Sequence, residues 1–237
     1  MVNMDQLVAK ILRQRAVVPE GRSLLVGVSG IDGGGKGYVA KQIEARLALH
    51  SIAAANINAD RWLNLPDRRF NAAKPAEHFY ENAIRFDELF AKLVLPLRDH
   101  RSADVVADFA EETASNYRKY SYTFGNVGVV LVEGIFLFKH KYRNLFDLTI
   151  WVDCSFPTAL ARALARAQEG LSPAETIRAY ETIYFPAQKI HFARDNPRET
   201  ADLIIDNDQT PAVATGRTRL GQRRQGLWLQ AAQLQRL

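Results

Sequence analysis

Residues Gly30 to Gly37 read Gly-Ile-Asp-Gly-Gly-Gly-Lys-Gly, a Gly-x4-Gly-Lys phosphate-binding loop. In such a loop the glycines let backbone N–H groups turn inward around an anion. The helix that follows adds its positive end. Lys36 supplies a point charge to the β- and γ-phosphates of a nucleoside triphosphate. The nucleotide-binding set read from the loop is Gly30, Ile31, Asp32, Gly33, Gly34, Gly35, Lys36, Gly37 and Tyr38. One part is missing. The position after Lys36 should carry a Ser or Thr hydroxyl for Mg²⁺, and it is Gly37, followed by the phenol of Tyr38. The loop predicts triphosphate binding, and the missing hydroxyl leaves open whether transfer follows in the usual way.

Carboxylates supply the rest of the chemistry. Asp32 inside the loop would repel phosphates unless it faces a metal, a substrate hydroxyl or Lys36; otherwise it points to solvent. Asp60 follows a predicted strand, where it could accept the proton of an attacking hydroxyl or position Mg²⁺. Glu133 follows Val-Val-Leu-Val and precedes Gly134, the pattern of the acid that ends a Walker B strand. Mg²⁺ wants six oxygens and keeps several waters, so Asp60 and Glu133 could anchor it where Gly37 does not. Cys154 has no adjacent histidine and the five histidines show no ligand spacing, which speaks against a thiol nucleophile and against zinc.

Periodicity places these residues on elements. Ser23 to Ser29 reads as a buried strand ahead of the loop, and Gly37 to His50 as the helix after it. Ile52 to Ala59 is a second strand, and residues 61 to 75 a loop. Ala76 to Leu97 is expected as one long helix that Pro96 could end early. Val105 to Phe109 and Tyr117 to Phe124 pair as a strand and hairpin partner. Val127 to Val132, Leu148 to Val152 and Leu203 to Ile205 are further strands. Phe156 to Glu169 is a helix closed by Gly170. Ser172-Pro173-Ala174-Glu175 opens the next with a capping box. Tyr180, Tyr184 and Phe185 on it read as packing rather than as a stacking platform. The fold class is α/β: a three-layer P-loop arrangement, mostly parallel sheet with helices on both faces, a small acceptor-binding insertion and a helical lid. Ligands then lie at the carboxyl ends of the strands, where Gly30, Asp60, Asp108, Glu133 and Asp153 are expected to converge.

The organisation expected is an N-terminal helix within 1–22 (about Asp5 to Arg15), a nucleotide-binding α/β domain over 23–207 with a helical segment at about 156–195, and a basic tail over 208–237. The tail holds Arg217, Arg219, Arg223, Arg224 and Arg236 against Asp208 alone, so it carries most of the net charge of +5. Concentration of the charge at a terminus argues against a nucleic-acid partner. Apolar residues at 47% and charged residues at 24% are ordinary for a globular chain. One cysteine excludes an internal disulfide and suits a reducing compartment. Neither a signal-peptide core nor a membrane-length apolar run is found. The expectation is a cytoplasmic protein without a membrane partner, with a homo-oligomer left open.

Taken together, Gly27-Val28-Ser29-Gly30 with Gly35-Lys36, Asp60, Phe86-Asp87, Asp108-Phe109, Glu133-Gly134-Ile135, Arg162 with Arg166, and Ala201 to Ile205 resemble the uridine kinase and phosphoribulokinase group of P-loop kinases. The resemblance covers about Ser23 to Asn207. It implies ATP and Mg²⁺ as cofactors, Asp60 as catalytic base with a second role near Mg²⁺, and Glu133 as a metal ligand. It also implies an acceptor site with Phe86, Asp87 and Asp108, and Arg162 and Arg166 as lid residues acting beside Lys36. Their i, i+4 spacing puts both guanidinium groups on one helix face. Two further departures lie in the acceptor region. Ala107 stands where uridine kinases carry a Tyr that touches the base, and Glu111-Glu112-Thr113 where they carry a His. The function expected is transfer of the γ-phosphoryl group of ATP to a hydroxyl of a nucleoside-like small-molecule acceptor. The alternatives are a kinase of a non-nucleoside sugar or hydroxy acid, or a nucleotide-binding regulatory protein that has lost transfer.

Overall fold

The computed structural model describes residues 1–167 and 170–208. The expected basic tail therefore lies outside the described residues apart from Asp208. Helix α1 (Met4–Val17) starts with a capping box of Asn3 and Gln6. The central sheet contains β1 (Leu24–Gly30), β2 (Ala54–Asn58), β5 (Val129–Gly134), β6 (Leu148–Asp153) and β7 (Leu203–Asp206), all parallel, in the order β2-β5-β1-β6-β7. Helix α2 (Lys36–Leu49) follows the Gly-rich loop. β3 (Ala103–Phe109) and β4 (Arg118–Phe124) form a separate antiparallel hairpin.

Side-chain alternation divides the core into the two layers that such a sheet needs. Leu24, Val26 and Val28 of β1, with Val129 and Leu131 of β5, pack against Leu7 and Ile11 of α1 and Val39, Ile43 and Leu47 of α2. Leu25, Val130 and Val132 face the other way, into the aromatic-rich layer with Phe79, Phe90 and Phe136.

The long helix expected over Ala76 to Leu97 is two helices, α3 (Pro75–Asn82) and α4 (residues 86–100). Between them the backbone pairs with the segment after Asp60. Asn64 N–H donates to the Ala83 carbonyl at 3.0 Å, and Arg85 N–H to that of Trp62 at 2.8 Å. Propensity allowed the helix to continue; a tertiary pairing interrupted it. Pro96 does not end α4. A π turn, Phe90–Val94, precedes it, with Leu95 N–H bonded to the Phe90 carbonyl. Widening the turn makes room for a ring that lacks an N–H and would clash with the carbonyl four residues back. The same device recurs in α6 (residues 173–195), where the π turn Tyr180–Tyr184 precedes Pro186.

Helix α5 (Phe156–Arg166) ends earlier than expected. Its C-cap is Ala167 in the left-handed region, φ 46°, not Gly170. The capping box at Ser172 and Glu175 is present, with the Ser172 N–H donating to Glu175 Oε2 at 2.9 Å. No helix among the described residues is long and apolar enough to cross a membrane.

Asp195, at the end of α6, ties three elements together. Its carboxylate accepts from the Tyr80 hydroxyl of α3 and from the His140 backbone N–H at 2.9 Å, and it lies 2.7 Å from His191 Nδ1. Burial alone would raise its pKa, but the bonds from His191 and Tyr80 overcome this and hold it at about 2. A depressed carboxyl contributes stability above its unfolded pKa and loses it as pH falls through the folded one. Asp195→Asn is expected to cost about 2–4 kcal/mol at pH 7. Urea unfolding should show that gap narrowing toward pH 2.

Candidate active site

Strand register assembles the site. Glu133 pairs with Val28 of β1 on one side and Asn58 of β2 on the other. Two residues beyond those partners lie Gly30, which enters the loop, and Asp60. Asp60 sits in a 3₁₀ turn, Ala59–Trp62, whose start is set by the Asn58 side chain accepting the Asp60 N–H at 2.6 Å. Loop, base candidate and Walker B-like acid are thus brought to one sheet edge by three adjacent parallel strands.

The loop is tied closely into the fold. Gly33 and Gly35 have φ of 73° and 88°, and a Cβ on Gly35 would lie 2.2 Å from Asn207 Nδ2. Asn207 Nδ2 donates to the Gly34 carbonyl at 2.8 Å, and Arg162 Nη2 donates to the Asn207 carbonyl at 2.7 Å. Lys36 is buried, its ammonium donating to the Ile31 carbonyl at 2.9 Å. Asp32 does not point to solvent: its carboxylate accepts the Gly33 N–H at 2.8 Å and the Tyr180 hydroxyl at 2.6 Å. Tyr180 is accordingly a packed residue with a polar contact to the loop.

Lys36, Asp60 and Glu133 line one cleft of about 600 Å³ with Asp32, Gly33, Gly35, Gly37 and Tyr38, and with Arg162 and Arg166 of α5. Lys41, Asn58, Glu112, Thr176 and Tyr180 complete its polar lining. Three carboxyls in it are pushed up. Burial is the main cause for Asp60, opposed by Lys36 and reinforced by Asp32. Glu133 rises to about 7 through burial and then the neighbouring Asp60. Glu112 also rises to about 7, through burial, Asp60 and Asp32. Crowded, desolvated carboxyls favour a cation among them. Their hard oxygen donors suit Mg²⁺, which is held by one or two carboxylates together with waters and substrate phosphates. Among the described residues no group of three or more His, Cys, Asp or Glu could hold a metal ion, so Asp60 and Glu133 fit only that shared arrangement.

The structure does not bring every expected residue here. Phe86 is core, 4% exposed and packed 5.1 Å from the Tyr142 ring. Asp87 is ion-paired with Lys141 at 2.6 Å and accepts from the Tyr142 hydroxyl at 2.9 Å, outside the cleft lining. Asp108 lies on the hairpin rather than the parallel sheet, paired with Lys119 at 2.7 Å. Asp153 is bound by Arg198 at 3.0 Å. Sequence spacing missed Glu112, Asn58 and Lys41. Lys41 lies one turn beyond Gly37 on α2 and was legible from i, i+4 spacing. Glu112 sits in the hairpin connection, where no periodicity marks direction.

The room left by Gly37 borders Glu133: a Cβ there would lie 3.4 Å from Glu133 Oε1 and 3.9 Å from Oε2, ordinary contact distances. Gly37→Ser should therefore fold, with unfolding free energy unchanged or raised by up to about 1 kcal/mol. Its added hydroxyl should also lower the Mg²⁺ concentration needed for half-maximal ATP binding. Thermal melts and a Mg²⁺ titration of ATP binding check both.

A parallel sheet with a Gly-rich lysine loop after its first strand, and acids at neighbouring strand ends, defines a P-loop kinase fold. The sequence model of the Phosphoribulokinase / Uridine kinase family matches residues 25–208, and the chain belongs to that family. A uridine kinase from Staphylococcus haemolyticus is 26% identical over 195 residues, 80% of this chain and 90% of the relative. Among solved structures, a possible uridine kinase from Bacillus stearothermophilus superposes with a TM-score of 0.68 at 19% identity, covering 86% of this chain and 97% of that one. A putative fructose transport system kinase from a Silicibacter species superposes with a TM-score of 0.67 at 18% identity, covering 86% and 100%. Those two likenesses show the fold.

Proposed function

We propose that this protein is an ATP-dependent, Mg²⁺-requiring kinase that phosphorylates a hydroxyl of a small molecule. The observation that carries the reading is the shared cleft in which Lys36, Asp60 and Glu133 face Arg162 and Arg166. The loop holds the triphosphate. Lys36 and the two arginines of α5 neutralise charge on the transferring group. Mg²⁺, held by Glu133 and Asp60, would add charge neutralisation at the phosphates. Asp60 orients the acceptor hydroxyl and takes its proton. The acceptor oxygen then bonds the γ-phosphorus while the bond to the bridging oxygen breaks, its electron pair leaving on ADP.

Family membership and the uridine kinase relatives make a nucleoside the first acceptor to test. One observation favours a second reading, an acceptor without a base: no residue of β3 or β4 lines the cleft. The test is ADP release from Mg-ATP in the presence of nucleosides, sugars and hydroxy acids, with Lys36→Ala as control. Acceptor-stimulated release that Lys36→Ala abolishes supports the kinase. Tight ATP binding with no stimulation at any Mg²⁺ level would instead support a regulatory protein that has lost transfer.

A further inference from the structure

The resemblance to uridine kinases would put base recognition at Ala107 of the hairpin, and that position is buried. Residues 103, 105, 107 and 109 of β3 share one face with their cross-strand partners 124, 122, 120 and 118. Ala107 is 1% exposed, with Tyr120 directly opposite. Tyr122, one pair along, stacks on the fully buried Trp62 at 5.9 Å and meets Tyr120 at 4.8 Å. The Arg61 guanidinium, next in sequence to Asp60, lies 4.8 Å from the Tyr120 ring centre and 5.7 Å from that of Phe109. Ala107 is thus buried beside Tyr122, while Tyr120 keeps 39% of its surface exposed and lies outside the cleft lining.

What the hairpin does contribute to the cleft is Glu112, from the connection between its strands. Around Asp60 in the cleft lining stand Glu112 and Arg166, which interact with it electrostatically, and Asn58, which accepts its backbone N–H. A nucleobase needs an apolar or aromatic wall to stack on. The cleft's two aromatic rings, Tyr38 and Tyr180, stand at the phosphate loop, Tyr180 bonded to Asp32, whereas the group around Asp60 is polar and rich in carboxyl groups, chemistry that accepts hydrogen bonds from several hydroxyls at once. The same carboxylates disfavour an acceptor that brings its own negative charge, and Arg166 opposite them is also committed to the phosphates.

We infer that the acceptor is a compact, neutral polyhydroxyl molecule, a free sugar or polyol without a base, and that Glu112 is its specificity residue beside Asp60. This rests on the kinase reading above. Glu112 accepts hydrogen bonds from hydroxyls next to the one that reacts, and so fixes which hydroxyl Asp60 receives.

The experiment is acceptor-stimulated ADP release by the full chain with Mg-ATP. The probes are D-ribose, D-fructose, other free aldoses and ketoses and their polyols, against uridine, cytidine and D-glycerate. Stimulation by one or more neutral sugars or polyols, and not by nucleosides or glycerate, is the expected result. With the best sugar, Glu112→Gln should raise KM about tenfold or more, as expected for loss of a charged hydrogen-bond acceptor. Its kcat should stay within about threefold, with ATP affinity unchanged and the melting temperature not lowered, a KM-only effect that a merely structural role would not produce. Preferential use of uridine, cytidine or glycerate overturns the acceptor class and leaves the kinase standing. An unchanged KM in Glu112→Gln overturns the residue assignment. ATP binding without stimulation by any of these compounds overturns the kinase reading and the acceptor with it.

Discussion

Asp60→Asn is expected to lower kcat by about 10²–10⁴-fold, the range for removing a general base, while ATP affinity stays within a few-fold. The asymmetry follows from position. Asp60 is carried by the turn after β2, whereas the phosphates are held by the loop after β1. The isosteric amide keeps the Asn58-capped turn intact, because that bond uses the Asp60 backbone N–H. What disappears is a group able to take the proton. Neutralising Asp60 also removes a cause of the raised Glu133 and Glu112 pKa values, so both should titrate lower in the variant. Steady-state kinetics with the best acceptor, together with equilibrium ATP binding, separate the two effects. Normal turnover in Asp60→Asn would show that another group is the base.

Glu133→Gln is expected to abolish Mg²⁺-dependent turnover and to stabilise the ligand-free protein at pH 8 by roughly 1–3 kcal/mol. Glu133 is 7% exposed, and burial followed by repulsion from Asp60 raises its carboxyl to about 7. A raised carboxyl binds its proton more tightly in the folded state than in the unfolded one. Its contribution to stability is therefore full below pH about 4.5 and lost as pH rises through about 7. The difference between the Glu133→Gln variant and the parent should accordingly be near zero at pH 4.5, grow up to about pH 7 and stay constant above it. Comparing the two proteins isolates Glu133 from opposing groups such as Asp195. Urea unfolding at several pH values measures the curve. A variant less stable than the parent at pH 8 would mean that the Glu133 carboxylate is satisfied within the fold.

Much of the candidate site was legible because its parts are local. The loop motif, its strand and its helix lie in one stretch of chain, so glycine spacing and Lys36 reveal them directly. Asp60 and Glu133 each end an apolar run, and in a parallel sheet all strand ends of one direction meet along one edge. Asp108 failed that logic, and Asp87, expected from the resemblance alone, lies outside the cleft for a different reason. Asp87 sits on a helix whose rotation is set by packing of Phe86 and Phe90 into the aromatic layer, leaving its carboxylate to Lys141. Asp108 belongs to a hairpin outside the parallel sheet, where a strand end carries no positional meaning for the nucleotide. Glu112 was invisible because a connection between antiparallel strands has no periodicity to orient it.

The sequence alone determined the P-loop, the alternation of strands and helices, the Ser172 capping box and the acids at two strand ends, because each follows from residue type and short-range geometry. Tertiary structure decided the rest. It split the expected helix between Asn82 and Phe86, since pairing with residues 62–64 satisfied backbone groups that a continuous helix would have kept. It carried α4 and α6 through Pro96 and Pro186 by π turns, where packing outweighs a local break. It turned the Asp32 carboxylate toward Tyr180, a partner 148 residues away that only long-range packing could supply. It also buried Ala107 on the hairpin, where Tyr122 of β4 stacks on Trp62 from the turn after Asp60, a pairing across distant stretches of chain.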